Sequence, residues 1–372
     1  MDTVVEFKGV SKAYGKSQVL EDIRLSVKRD DFMVIYGLPS SGKTVLLRLL
    51  MGLEEPDDGD IFLRGENVRH MPPKLRNVGY VPQDFALYPH KNIFDNIAYP
   101  LRLMGRPASE IQPVVQRAAA MLSIEDLLLK LPTQLSGGQK QRVAVARGIV
   151  KETDIYLLDD PLAGLDFKLR EKLIDDLKIL QEGLGACFLY TTSDPIESMG
   201  LAETIAILHD RKIRETGNPQ TVYRSPLHLS TMDILGFPRS NLLVGRLLRK
   251  SSGVWCGTDL FEFPVVMDGE GPSIEGSIEV IVAVRPESIQ KASGNAGKGL
   301  QADIYLREDL GAEEIIYLNI GGTNLTMLNP SYRNGSYDVG DQISIGMSAQ
   351  DIFVFEKGNG SRIGRGKENF HV

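Results

Sequence analysis

The sequence predicts an α/β unit with a mostly parallel sheet, followed by a separate, smaller all-β unit. Three observations predict it. Strand-like and helix-like stretches alternate through about residue 216, the pattern of a parallel sheet with helices on its faces. A glycine-rich loop lies between an apolar run and a helical stretch early in the chain. After Pro238 the texture turns to short β-rich runs between Gly, Pro and Asn turns.

Composition sets the bounds. The chain has 372 residues, enough for two or three domains, with 42% apolar and 24% charged residues as in ordinary globular proteins. A formal charge of −7 argues against broad nucleic-acid binding and leaves room only for a local basic groove. No uninterrupted apolar stretch approaches the roughly 18 residues of a membrane span, and no signal peptide precedes the first strand-like segment. Cys187 and Cys256 form no CxxC pair, so the expectation is buried thiols in a reducing, cytoplasmic setting, without disulfide framework or zinc.

Taken in order, residues 3–27 alternate as two strands joined by a turn containing Tyr14-Gly15. The apolar run 32–36 then leads into Gly37-Leu38-Pro39-Ser40-Ser41-Gly42-Lys43-Thr44, and the helical run 45–51 is closed by Gly52. A strand, a tight glycine loop and a helix in G-x-x-x-x-G-K-[ST] spacing form a phosphate-binding loop. Backbone N–H groups cradle the polyphosphate, the lysine reaches the terminal phosphates and the hydroxyl ligates Mg²⁺. On the motif alone, a glycine-rich turn remains open.

Asp57-Asp58-Gly59-Asp60 signals a turn, a strand-rich piece runs through Glu66, and the strand from Val78 ends at Gln83. From there to about 150 the composition is helical. Ser109-Glu110-Ile111-Gln112 resembles a capping box, with Pro113 in the first turn. Leu135-Ser136-Gly137-Gly138-Gln139 opens another helix, whose exposed N–H groups suit a second phosphate. The buried strand 155–158 ends on Asp159-Asp160-Pro161, followed by a helix around 167–182 and a strand at 187–191. Beyond 238, β-runs at 278–284, 302–306, 314–320 and 342–347 predict one or two OB-like barrels. The Gly-rich, charged stretch from Lys357 reads as a frayed tail, with docking as the alternative.

Together these residues resemble the ATP-binding subunits of ABC transporters. Walker A is Gly37 to Thr44, the Q-loop residue is Gln83, and the signature is Leu135 to Gln139. Walker B ends at Asp159, the D-loop is Ala163-Gly164-Leu165-Asp166, and Tyr14 stands where the family stacks an aromatic ring on adenine. The resemblance implies a P-loop NTPase core over 1–235, with a helical ABC subdomain at about 84–150. An OB-like regulatory domain at 236–357 and a flexible tail at 358–372 follow. Phe237-Pro238-Arg239-Ser240-Asn241, Val284-Arg285-Pro286-Glu287 and Gly340-Asp341 with Phe353 resemble the C-terminal domain of the maltose-transporter type. That group serves importers of oligosaccharides, polyols, glycerol and glycerol phosphate.

The resemblance further implies ATP held between one chain's Walker A and the signature of a second ATPase subunit. Lys43 and the loop amides would face the β/γ-phosphates, and Ser136, Gly137, Gly138 and Gln139 the partner's ATP. Thr44, Gln83 and Asp159 would hold Mg²⁺ directly or through water. Gln83 would relay closure to two integral-membrane permease subunits, fed by an extracytoplasmic solute-binding protein. Residues 85–91 and the helix after them would receive the coupling helix, or serve simply as subdomain core.

Three departures stand out. The glutamate expected after Walker B is Asp160, the switch histidine is Ser193, and Pro39 and Ser40 replace the usual Ser and Gly. A carboxylate one methylene short can misplace the attacking water, and an error of about 1 Å can cost on the order of 10²-fold. Serine has no imidazole, and proline no N–H for the phosphate nest. The expectation is a Walker face that hydrolyses weakly beside an intact signature, hence pairing with a second, non-identical ATPase. A slow homodimer and a non-transport regulatory ABC protein are the alternatives. A DNA or ribosome ATPase fits less well, with one cassette and no heptad run.

Overall fold

The computed structural model describes residues 3–372 except 270–273, 275, 293–298, 331–336 and 369. The chain divides into two compact units, one up to Gln220 and one from Thr221.

The first unit runs β1 (Thr3–Tyr14), β2 (Ser17–Lys28), β3 (Phe32–Tyr36), α1 (Lys43–Met51), β4 (Asp58–Leu63), β5 (Glu66–Asn67) and β6 (Gly79–Val81). It continues through α2 (Ile93–Leu103), α3 (Ala108–Met121), α4 (Gly137–Ile149), β7 (Ile155–Asp159), α5 (Phe167–Leu184) and β8 (Cys187–Thr192). It closes with α6 (Pro195–Leu201), β9 (Thr204–His209) and β10 (Lys212–Gly217). A six-stranded sheet, ordered β10-β9-β3-β8-β7-β6, is parallel except at the β9–β10 edge. An antiparallel sheet, β2-β1-β4-β5, covers one of its faces.

Strands β3, β7 and β8 are buried at every residue, as continuous apolar runs in a parallel sheet should be. Their pleat divides them between two cores. Ile35, Leu157 and Leu189 pack with Phe7, Ile23, Leu46 and Leu50 on one side. Val34, Leu158 and Tyr190 pack with Ile97, Val143, Leu173 and Leu177 on the other. Every loop leaving the carboxyl ends of these three strands therefore emerges on one rim.

Two helix starts differ from the sequence expectation. The N-cap of α3 is Pro107, and Ser109 lies inside the helix without a capping bond. Pro107 sets an extended φ/ψ and starts the helix two residues earlier, which places Pro113 at its sixth position rather than in the first turn. The capping box sits instead on α4. Ser136 Oγ accepts from Gln139 N at 3.3 Å, and Gln139 Oε1 accepts from Ser136 N at 3.0 Å.

The division between units falls within α7 (Pro219–Arg224), earlier than the expected boundary at 235. The reason is a pair of arginines. Arg285 donates to Leu235 O at 2.7 Å and to Tyr223 O at 2.9 Å, with its guanidinium 3.6 Å from the Tyr223 ring centre. Arg362 donates to Pro226 O at 3.0 Å, and Met232 of α8 (Leu229–Ile234) packs on Ala283, Phe353 and Phe355. The sequence pattern reads these helices as the last of the α/β alternation; side chains more than fifty residues away claim them.

The second unit is all-β after α8: β11 (Asn241–Lys250), β12 (Gly253–Thr258), β13 (Glu262–Met267), β14 (Ser277–Val284), β15 (Gln290–Lys291) and β16 (Leu300–Asp309). Then come β17 (Glu313–Ile320), β18 (Thr323–Pro330), β19 (Gln342–Gly346), β20 (Ile352–Glu356) and β21 (Arg362–Gly366). Six strands close a barrel, β11-β12-β13-β21-β20-β14, and five form a sheet, β15-β19-β16-β17-β18. Among the described residues there is therefore one OB-like barrel, beside an open sheet.

The expected flexible tail is instead structural over its described residues. Strand β21 pairs with β13 and β20 and closes the barrel. Its glycines answer to packing: a Cβ on Gly364 would lie 2.6 Å from Val266 O, and one on Gly366 would collide with Ala349 O. Both cysteines are buried and free, as expected. Among the described residues, no helix is long and apolar enough to cross a membrane.

Candidate nucleotide-binding site

The loop from Gly37 to Thr44 leaves β3 at the rim and turns into α1. Gly37 is needed there, since a Cβ would sit 2.5 Å from Leu208 O. Ser40 and Gly42 take left-handed φ of 64° and 104°, which swing the loop amides toward the start of α1. Lys43 is nearly buried and donates to Gly37 O at 2.7 Å and Leu38 O at 3.0 Å. The Ser41 hydroxyl is buried and has no hydrogen-bond partner among the described residues. Pro39 contributes no N–H; the amides after it remain.

A cavity of about 390 Å³ opens over this loop, lined by Pro39, Ser40, Ser41, Gly42, Lys43, Thr44, Gln83, Asp159, Asp160 and Ser193, with Val19 and Val45. The register explains the convergence. Asp159 ends β7 opposite Thr191 of β8, and Ser193 follows the last residue of β8. Ligands in open α/β sheets bind outside such strand ends.

Asp159 is held from three sides. Its Oδ1 accepts from Thr44 Oγ1 at 3.1 Å and Thr191 Oγ1 at 2.9 Å, and its Oδ2 from Tyr80 OH at 3.4 Å. Tyr80 and Thr191 escaped the sequence reading because cross-strand register, not motif spacing, brings them to Asp159. Burial, then the Asp159 charge, pushes the Tyr80 phenol up, so it stays a donor. Asp160 has left-handed φ of 45° and its N–H is bonded by Thr191 O at 3.0 Å. Burial raises the Asp160 pKa, Lys43 lowers it, and Asp159 and Asp194 raise it again. Burial lowers that of Lys43, opposed by Asp160 and Asp159. The pocket thus holds a desolvated cation against two carboxylates.

Other sequence candidates lie elsewhere. Tyr14 is absent from the lining, half-exposed, bonded through its hydroxyl to Glu54, with Lys12 Nζ 5.6 Å over its ring. Ser136, Gly137, Gly138 and Gln139 form the N-terminus of α4 and do not line the cavity either. A Cβ on Gly138 would collide with Leu169, so this glycine also has a packing reason.

Residues 20–163 match the ABC transporter family and residues 282–355 the TOBE domain. An sn-glycerol-3-phosphate import ATP-binding protein of Pectobacterium atrosepticum is 37% identical, over 86% of this chain and 89% of its own. The chain belongs to the ATP-binding subunits of ABC importers. It is accordingly a transport ATPase whose cassette binds ATP. A spermidine/putrescine import ATP-binding protein of Marinobacter nauticus is 35% identical, over 86% of each chain. The family likeness therefore reaches importers of quite different solutes. Among solved structures, a dimeric ATP-binding cassette in a post-hydrolysis state with ADP and Pi matches with a TM-score of 0.53 and 28% identity, over 58% of this chain and 98% of its own.

Proposed function

We propose that this subunit binds ATP at its own Walker face, hydrolyses it slowly, and pairs with a second, non-identical ATPase. The solute would be a sugar, polyol, glycerol or glycerol phosphate. The observation that carries the hydrolytic part is the cavity itself: a complete phosphate loop faces Asp160 and Ser193 where the family's glutamate and histidine would stand. The loop amides and Lys43 take the phosphates, and the partnerless Ser41 hydroxyl offers one more donor. Thr44, Asp159 and Gln83 present only oxygen donors, which suit the hard Mg²⁺ ion. Bound there, the ion would neutralise phosphate charge. Asp160 accepts the proton of the attacking water, from farther back than a glutamate would.

The dimeric solved cassette supports closure of two such subunits, with the α4 N-terminus of one facing the other's nucleotide. A groove between α2 and α3, lined by Leu101, Met104, Ile111, Val114 and Val150 and edged by Arg106 and Glu110, supports docking of a membrane subunit's amphipathic segment. The subunit would sit peripherally on the cytoplasmic face of the inner membrane, against two permease subunits served by an extracytoplasmic solute-binding protein. The glycerol-phosphate relative supports the solute class; the polyamine relative keeps a second class in view.

The test is ATP turnover by the chain alone and with its co-purified ATPase partner. Asp160→Asn should change the rate of the assembled complex little, and Glu→Gln after the partner's Walker B aspartate should abolish most of it. The reverse pattern, or turnover from the chain alone at the complex's rate, overturns the asymmetric reading in favour of a homodimer.

A further inference from the structure

We infer that Arg147 is a positioning residue for Gln83: it latches a strained turn just after that glutamine to the helix whose N-terminus carries the signature. The inference deepens the reading above and rests on Gln83 being an oxygen donor to Mg²⁺.

Gln83 reaches the cavity from a loop with little freedom left in it. On its N-terminal side Pro82 has a fixed φ and follows β6 directly. On its C-terminal side the Ala86 N–H donates back to Asp84 O at 2.6 Å, with Phe85 between them at a φ of 59°. That is a γ-turn of the rare, strained hand, on a residue that is not glycine. Ala86 follows at a φ of 46°, a second left-handed residue in succession. Beyond it the loop is anchored again: the completely buried Asn96 of α2 accepts from Tyr88 N at 2.7 Å and donates to Tyr88 O at 3.1 Å. Only Gln83 and Asp84 lie between the proline and the centre of the turn, so the turn's position sets where the Gln83 amide can reach.

Arg147 holds that turn. From α4 its Nη1 donates to Ala86 O at 2.5 Å and its Nη2 to Phe85 O at 2.6 Å, so one guanidinium takes both carbonyls of the left-handed pair. The planar fork fixes the spacing of the two oxygens, and its charge strengthens both bonds. The guanidinium also lies 5.9 Å from the centre of the Tyr88 ring. A strained backbone persists where its surroundings over-determine it. Here the Phe85 side chain, packed against the helical core, and the Arg147 fork do so together. Arg147 stands about three turns along α4 from its N-cap, Ser136. One helix therefore carries the N–H groups offered to the partner's nucleotide at one end and the latch on this chain's Gln83 near the other. A shift of α4 would move the turn with it.

The test uses the full-length chain loaded with ATP, and Mn²⁺ as the metal probe, its binding read by electron paramagnetic resonance. ATP affinity in EDTA is measured separately. Gln83→Ala and Arg147→Met should each weaken Mn²⁺ binding roughly tenfold, with ATP affinity in EDTA within about twofold of the parent. Arg147→Lys keeps the charge without the fork and should fall between; it carries the same comparison if the methionine variant does not fold. Ala86→Gly relieves the left-handed strain, so adding it to Arg147→Met should recover several-fold of the lost metal affinity. A fall of EDTA affinity in step with Mn²⁺ affinity, or no recovery in the double variant, overturns the positioning role. Parental Mn²⁺ affinity in Arg147→Met beside a weakened Gln83→Ala overturns the inference alone. Parental Mn²⁺ affinity in Gln83→Ala overturns the reading of Gln83 as a metal donor as well.

Discussion

At the scale of single residues, the site turns on the charge state of a half-buried carboxylate. Asp160 is raised by burial and by Asp159 and Asp194, and lowered by Lys43 and Thr192. Below its raised pKa it is protonated and cannot accept a proton from water. Single-turnover hydrolysis should therefore fall as pH drops through a value above the ordinary aspartate range of about 3.9, while Asp160→Asn should lack that limb. The sign for stability is the opposite. A raised folded pKa gives a contribution that is present below the unfolded value and lost as pH rises through the folded one. Asp160→Asn should thus raise the thermal midpoint more at pH 8 than at pH 4, and a larger gain at pH 4 refutes the assignment.

At the scale of elements, what the sequence could show depended on whether the signal was local. The phosphate loop, the end of β7 and the signature helix were legible because adjacent residues carry both pattern and chemistry. The partners Tyr80 and Thr191 were not, because each acquires its role from the register of neighbouring strands. The start of α3 was misread for a different reason: Ser109-Glu110-Ile111-Gln112 has the spacing of a capping box, but Pro107 forces the start earlier. A consequence is measurable. Pro113, exposed at the sixth position of α3, can give no N–H to Ser109 O. Pro113→Ala restores that bond and should stabilise the first unit by about 1–3 kcal/mol, read by urea denaturation. A loss of stability there would mean that the proline packs or kinks to advantage.

At the scale of the whole molecule, the chain's end carries more than its composition suggests. Glycine and charge from Lys357 onward read as disorder, yet β21 closes the barrel and Arg362 donates to Ser225 Oγ at 2.7 Å and to Asp268 Oδ2 at 2.6 Å. Val372 and Met347 exchange backbone hydrogen bonds, and the Phe370 ring meets Trp255 edge-on at 5.8 Å. Trp255 is the only tryptophan in the chain, so its fluorescence reports the second unit alone. Ending the chain at Lys357 removes β21, bares the edges of β13 and β20, and strips Phe370 from the indole. The truncated protein should show red-shifted Trp255 emission and a lower urea midpoint by that signal. Its affinity for Mg-ATP should hold, because every residue lining the nucleotide cavity belongs to the first unit. Unchanged emission with an unchanged midpoint would return the segment to the status of a tail. Loss of ATP binding would show instead that the barrel's closure is felt at the phosphate loop.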